Sequence, residues 1–244
     1  LFSVSGLRKA AKIIAVSSDT KNDLIRFLKI PPKKIEIIPE GVEPIFKEIK
    51  DKNRLIKIRK KYCLPEKFIL HVGTCWANKN IEGILEVFSE LIKNKELGDL
   101  FLVKVGSDWT EDQKKLIKRL GITDRVIKLP FIPKDELPAI YNLAKALVQL
   151  SFLEGFGLTV LEAMACGCPV VVSNIPALKE LVGEAGVIVD LEEKKEIVKK
   201  IANLITKESS YQWYAQRGIA RAKFFRWEKT AEKTLKIYEE VIKE

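Results

Sequence analysis

Short apolar runs alternate with helix-patterned stretches along nearly the whole chain, and this alternation constrains the fold more than any other feature. The runs are KIIAVS (12–17), IEIIPEGV (35–42), FILHVGT (68–74), LFLVKVG (100–106), VIKLPF (126–131), ALVQLS (146–151), PVVVS (169–173) and GVIVD (186–190). Each is short, continuous in apolar residues and bounded by turn formers, which is the pattern of a strand buried on both faces. Between them lie helical patterns such as TKNDLIRFLKI (20–30), ELPAIYNLA (136–144), LTVLEAMACG (158–167) and residues 192–206. Near residues 80–93, Ile81, Ile84, Leu85, Phe88, Leu91 and Ile92 recur at helical spacing. Thr110 and Gln113 form a capping-box pattern before KKLIKRLG. Strand and helix in alternation predict an α/β fold, a parallel sheet with helices on both faces.

Two stretches break the rhythm. PEGVEPIFKEIKDKN (39–53) combines turn residues, two prolines and a charge run, and reads as a linker between two units. At the end of the chain Trp227, Ala231, Leu235, Tyr238 and Ile242 fall on one stripe of a final helix. Leu rather than Met stands at position 1, and the chain is expected to begin partway through a longer protein.

The net charge of +10 is spread as Lys interleaved with Glu and Asp, which predicts a solvated surface and no nucleic-acid groove. No stretch approaches the ~20 apolar residues of a membrane span, and no signal-peptide pattern is present. The expected location is the cytoplasm, and the basic charge suits a peripheral position on an anionic bilayer. Cysteines 63, 75, 166 and 168 match neither structural zinc spacing nor a disulfide framework, so free thiols are expected, with no metal ligand set.

Two loops carry candidate chemistry. In HVGTCWANKN (71–80) a strand ends at Gly73 and a helix begins near Asn80, so backbone amides and Lys79 face an anion, phosphate being the common one. An ordinary strand-to-helix turn with an exposed lysine is the competing reading. In LEGFGLTVLEAMACGCPVVVS (153–173) a strand end leads through Gly155 and Gly157 into a helix, and Glu162 sits one turn inside it among apolar and small residues. An isolated carboxylate there is costly and needs partners. Two roles are open to it: a structural acid bonding the amides of its own helix start, or an acceptor for a pair of sugar hydroxyls. Glu154, at the mouth, is either a solvated loop acid or an acceptor for a second sugar.

The segment SFLEGFGLTVLEAMACGCPVVVSNIPALKELVGEAGVIVD resembles the signature of glycosyltransferase family 4, whose E-x7-E motif Glu154 and Glu162 reproduce. The resemblance implies a GT-B fold, two Rossmann-like domains facing a cleft. Residues 1–46 then resemble the end of the N-terminal acceptor domain and the linker. Residues 47–226 resemble the nucleotide-sugar-binding domain, and 227–244 the helix that crosses back. The function implied is retaining transfer of a hexose from a nucleoside diphosphate sugar to a saccharide or lipid-linked acceptor, this chain being the donor-binding half and inactive by itself. An alternative is a nucleotide-sugar-binding module without turnover, working with a separate N-terminal chain. A sugar-nucleotide epimerase is a second rival, against which the E-G-F-G-L sequence and its second acid argue.

Roles follow by resemblance. Glu162 matches the acid that holds the ribose hydroxyls, and Glu154 the catalytic acid at the donor sugar. The backbone at Gly155, Phe156, Gly157, Leu158 and Thr159 matches the surround of sugar and diphosphate. Lys79 matches the diphosphate lysine, beside the loop at Gly73 and Thr74. Phe131 and Ile132 match the region that packs on the base. Many members carry an Arg with that lysine; here those positions are Thr74 and Asn78. Diphosphate stabilisation is then weaker, or an Arg comes from elsewhere. The only histidine, His71, lies within a strand and is expected to be structural. The absence of a D-x-D triplet agrees with metal-independent chemistry, and no cofactor is expected.

Overall fold

Val and Ile, stiff at χ1 and suited to a pleated surface, fill the strands together with Leu and Phe in the order the alternation predicts. The computed structural model describes residues 4–243; residues 1–3 and Glu244, which the expected units include, lie outside the described residues. The chain opens with α1 (Val4–Lys9), β1 (Ile13–Ala15), α2 (Ser18–Leu28) and β2 (Ile35–Ile37). The two strands pair in parallel as a small sheet of their own. After a segment without regular strands come α3 (Lys52–Lys61), β3 (Phe68–Gly73), α4 (Ile81–Leu91), β4 (Phe101–Gly106), α5 (Glu111–Arg119) and β5 (Val126–Leu129). Then follow α6 (Leu137–Leu143), β6 (Ala146–Gln149), α7 (Leu158–Ala165), β7 (Val170–Ser173), α8 (Pro176–Val182) and β8 (Val187–Val189). Three helices close the chain: α9 (Lys194–Thr206), α10 (Glu208–Ala222) and α11 (Trp227–Lys243).

The main sheet is parallel throughout, with six strands in the order β5-β4-β3-β6-β7-β8. Successive strand residues face opposite sides. Leu70, Val72, Val103, Val105 and Leu147 join one core with residues of α6, α7 and α8. Ile69, Leu102, Ala146 and Val148 join a second core under α4, α5 and α9. Helices thus cover both faces, as the continuous apolar runs require. The order reverses between β3 and β6, a crevice-forming switch point at the carboxyl ends of the strands. The Thr110–Gln113 capping box at the start of α5 is formed on both sides.

Some expectations need correction. The charge run after residue 47 does not continue as linker, because Asp51 caps α3 by accepting from the amides of Asn53 and Arg54. The final helix reaches back toward the first unit, with the Thr230 hydroxyl donating to the Pro39 carbonyl at 2.8 Å and Lys12 ion-paired to Glu240. Its packed residue is Ile237, however, while Leu235, Tyr238 and Ile242 of the expected stripe are exposed. Where the chain passes from the first unit into the second it touches the entry to α11. The Val42 amide donates to the Phe225 carbonyl at 3.1 Å, and a Cβ on Gly41 would meet the Trp227 nitrogen at 2.2 Å.

β3 and β4 end in register, Gly73 opposite Gly106. Gly106 has φ +118°, and a Cβ there would lie 2.3 Å from the Gly73 carbonyl oxygen. Only glycine fits both the conformation and the space. Gly106→Ala is expected to lower the unfolding free energy by at least ~2 kcal/mol, measured as a shift of the urea midpoint at unchanged slope. Wild-type stability in the variant would show that this contact yields without cost.

Candidate functional site

At the carboxyl ends of β3 and β4 a cleft of about 640 Å³ opens. Val72, Gly73 and Thr74 form one part of its floor, and Val105, Gly106 and Ser107 another. Phe131, Ile132, Lys134 and Leu137 form a wall, Phe46 reaches in from the linker side, and Glu162 projects from α7. Five of the residues expected at a donor site therefore share one cavity: Gly73, Thr74, Phe131, Ile132 and Glu162. Ile132 is buried, while Phe131 stands 86% exposed at the rim, an apolar surface with no protein partner on its outer side.

The carboxylate inside α7 has its partner. The Tyr141 hydroxyl on α6 donates to Glu162 Oε2 at 2.8 Å, and Tyr141 is itself fully buried. Burial drives the Glu162 pKa up to about 7, against the Tyr141 hydrogen bond and the nearby Lys134 cation, both of which hold it down. Burial, and then the Glu162 charge, push the Tyr141 phenol well above its usual value. A carboxyl group tuned to neutrality on a cavity wall accepts well from hydroxyl donors once ionised, and one of its oxygens is free of the tyrosine. Lys134 pairs with Glu43 at the same mouth, joining the loop after β5 to the linker.

Glu154 heads a second cluster. Lys79 Nζ donates to both its oxygens, at 2.7 and 2.8 Å. Gln149 Nε2, at the end of β6, and the Ser151 hydroxyl donate to Oε1 at 2.7 and 2.8 Å. The Glu154 side chain is only 10% exposed and that of Lys79 20%, so the pair is held largely out of water by three fixed donors. An ammonium has three N–H bonds, and the carboxylate engages two. His71 lies behind this cluster. Its Nδ1–H donates to the Val148 carbonyl at 3.1 Å, leaving the buried Nε2 without a partner. Burial lowers its pKa to about 4, with Lys104 and Lys79 adding to the effect, so the ring is neutral.

Between these clusters lies the E-G-F-G turn. Gly157 is left-handed at φ +107°, and a Cβ there would meet Leu178 Cδ2 at 2.7 Å. It begins α7 without a side-chain cap, so the amides of that first turn are not claimed by a neighbouring side chain. Phe156 turns inward and packs edge-on against Phe225, while Leu158 lies at the surface and Thr159 is half-buried. The Gly155 carbonyl accepts from the Thr20 hydroxyl of α2 at 3.4 Å, so the first unit borders the turn. At the other loop, Asn80 caps α4 with its own side chain, which accepts from the Gly83 amide. Part of the anion-binding capacity expected of that helix end is thereby used.

Tyr141, Gln149, Ser151 and Lys134 are the site neighbours that the sequence patterns do not single out. Gln149 and Ser151 carry a signal: two polar residues close a run that is otherwise fully apolar and buried. Tyr141 carries none, since an aromatic on the apolar side of a helix reads as core.

Comparison with known proteins gives a consistent result. The family model for glycosyl transferases group 1 matches residues 53–221, and that for glycosyltransferase family 4 matches residues 2–45. O-antigen chain mannosyltransferase B of Escherichia coli is 30% identical over 233 residues, 95% of this chain and 61% of that protein. O-antigen chain mannosyltransferase RfbU of Salmonella typhimurium is 28% identical, over 81% of this chain and 52% of that protein. The chain thus spans about half to three-fifths of the length of these curated relatives. Among solved structures, Anabaena Alr3699/HepE in complex with UDP-glucose superposes with a TM-score of 0.86 at 19% identity, covering 97% of this chain and 66% of that one. WaaG, a glycosyltransferase involved in lipopolysaccharide biosynthesis, gives 0.80 at 18% identity, over 93% and 62%. Both share the fold.

The Glu162 environment has a consequence for stability. With its pKa raised from 4.5 to about 7 in the folded chain, native Glu162 keeps a proton that the unfolded chain has lost across that window. Stability from this group is therefore highest below about 4.5 and falls as pH rises to 7, by on the order of 3 kcal/mol in all. Glu162→Gln, which cannot ionise, is expected to match wild type near pH 4.5 and to exceed it at pH 8. Chemical denaturation at both pH values measures this, and equal stabilities at pH 8 would contradict the assignment.

Proposed function

Since the chain belongs to the glycosyl transferases group 1 family, we propose that the cleft and the Glu154 cluster together form the donor half of a retaining hexosyltransferase using a nucleoside diphosphate sugar. The observation that carries this reading is Glu162, a neutral-range carboxyl held by Tyr141 on the wall of a cavity floored by Gly73 and Thr74. A nucleoside fits such a cavity with its ribose hydroxyls on the carboxylate and its base against Ile132 and Phe131. The diphosphate then lies over the strand-end loops toward Lys79, and the sugar over the turn at Gly155 to Thr159.

The chemistry follows from these positions. Departure of the diphosphate builds negative charge on its bridging oxygen, and fixed donors aimed at that charge lower the barrier. Lys79 supplies one, through the N–H that Glu154 does not use, and the uncapped amides at the start of α7 supply others; in this reading no metal is needed. Glu154 is the catalytic acid group in the sense of an acceptor. Its carboxylate, fixed by Lys79, Gln149 and Ser151, faces the positive charge that develops on the sugar ring. Preorientation by three donors means that no reorganisation is required when the charge appears.

In this reading residues 1–46 and 227–244 belong to the acceptor side, and 47–226 bind the donor. Acceptors are saccharide or lipid-linked, and the location is cytoplasmic or peripheral to a membrane. Among the described residues no helix is long and apolar enough to cross one.

Calorimetry tests the donor site. Glu162→Ala is expected to weaken binding of nucleoside and nucleoside diphosphate alike by at least about tenfold, since a hydrogen bond to a charged acceptor contributes ~1.5–3 kcal/mol. Lys79→Ala is expected to weaken the diphosphate alone and to reduce its salt dependence. Unchanged affinity in a folded Glu162→Ala chain would remove the ribose role.

A second expectation concerns turnover. The 244-residue chain spans 61% of the E. coli mannosyltransferase relative, and a donor bound to it meets one wall of the cleft. It is expected to bind nucleotide and transfer no sugar, transfer returning with the acceptor domain in place. A radiolabelled-sugar assay with chain alone decides this, and steady transfer by it would sink the half-enzyme reading.

A further inference from the structure

Lys104 is the one lysine among the fully buried side chains of the described residues, at 0% exposure. It sits near the end of β4, facing the α4 side of the sheet with Leu102, opposite Val103 and Val105. Its ammonium donates to the Gly73 carbonyl at 3.2 Å and to the Ser107 carbonyl, and lies 5.3 Å from the centre of the Trp109 ring. The Cys75 thiol, Asp108, Lys128 and His71 are the titratable groups that face it, and none of them forms a salt bridge with it among the described residues. Burial holds its pKa below the ordinary lysine value.

A buried ammonium without a carboxylate partner is costly, and a methionine of similar length would fill the same space without that cost. What distinguishes this position is what the ammonium holds. Gly73 and Ser107 belong to the two strand ends that floor the donor cleft. Lys104 draws their carbonyls toward the back of the sheet, so the carbonyl dipoles point away from the cavity. Its positive charge lies one backbone layer beneath the floor.

Resting on the donor-site reading above, we propose that Lys104 is a positioning residue for diphosphate recognition. It clamps the ends of β3 and β4 from behind and adds a positive charge under the phosphates that Cys75 and Asp108 attract and no salt bridge among the described residues pairs. Lys79 approaches the same anion from the α4 side, so the diphosphate is held between the Glu154-paired Lys79 and the buried Lys104. No Arg is then required at Thr74 or Asn78.

The test compares uridine and guanosine with UDP and GDP, binding to the 244-residue chain by calorimetry at several salt concentrations. Lys104→Met is expected to reduce UDP or GDP affinity about tenfold and to flatten its salt dependence, with nucleoside affinity changed by less than about twofold. Lys104→Arg, which keeps the charge, is expected to keep the preference for diphosphate over nucleoside. Equal losses for nucleoside and diphosphate, or an undiminished diphosphate preference in Lys104→Met, would overturn the proposal and leave the donor site standing. Failure of the wild-type chain to bind either diphosphate would overturn both. Should Lys104→Met fail to fold, the Lys104 side-chain resonance in 13C-lysine-labelled wild type provides the readout. A nearby anion raises a lysine pKa, so UDP or GDP is expected to shift this titration upward and the nucleoside to leave it in place. An unchanged titration with bound diphosphate would equally refute the role.

Discussion

Parallel pairing of β3 with β4, ending with Gly73 opposite Gly106, is the constraint on which the site depends. Parallel strands place every carboxyl end at the same edge of the sheet, so the loops after β3, β4, β5 and β6 converge without any further instruction. The two glycines let those ends close to contact distance. A side chain on Gly106 would push the loops apart, and the floor of the cavity would separate into two unrelated turns. The residues on either side of the floor then sort by the strand period: Val72 and Val105 line the cleft, whereas His71 and Lys104 back it from the opposite face.

The carboxylates are treated differently by their surroundings. Glu154 receives a cation and two neutral donors, which is enough to keep a mostly buried charge in a single orientation. Glu162 receives one phenol and is otherwise desolvated, so its proton is held into the neutral range. One group is fixed in place by its donors, whereas the other has its pKa raised by the loss of water around it. Two acids eight residues apart in one motif thus differ because α7 carries the second into the core while the turn leaves the first beside Lys79.

The strands were legible because buried parallel strands are apolar without interruption, and the pattern survives any detail of packing. Helices α4, α7 and α9 were legible for the related reason that each buries an apolar face, and α5 through its Thr110–Gln113 capping box. Helix α10 was not, because it packs through Ala215, Gly218 and Ala222, with Gly218 set against Met164 of α7. A face made of small residues has no hydrophobic periodicity to read. Helix α3 hid in a charge run for the opposite reason, since Ile58 is its one buried residue. At the site, the glycines, the two acids and Lys79 stood out as residue types at odds with their surroundings. Tyr141 did not: its ring belongs to the core and only its hydroxyl to the site. Lys104 reads only as part of an apolar strand, because what sets it apart is its contact with two backbone carbonyls, and carbonyls leave no mark in a sequence.

The crossing of Gly41 over Trp227 has a mechanical consequence. Two covalent connections join the first unit to the second, one near residue 42 and one near residue 226, and the Val42–Arg226 bridge ties them together at their closest point. Two separated links would brace the units against each other like the sides of a frame. Here the two links are pinned at one place, and the bracing comes from a separate contact, where Ser18 donates to the Glu180 carboxylate and Thr20 to the Gly155 carbonyl. The Lys134–Glu43 pair lies on this same segment of chain, so the junction between the units extends to the mouth of the cleft that holds Glu162.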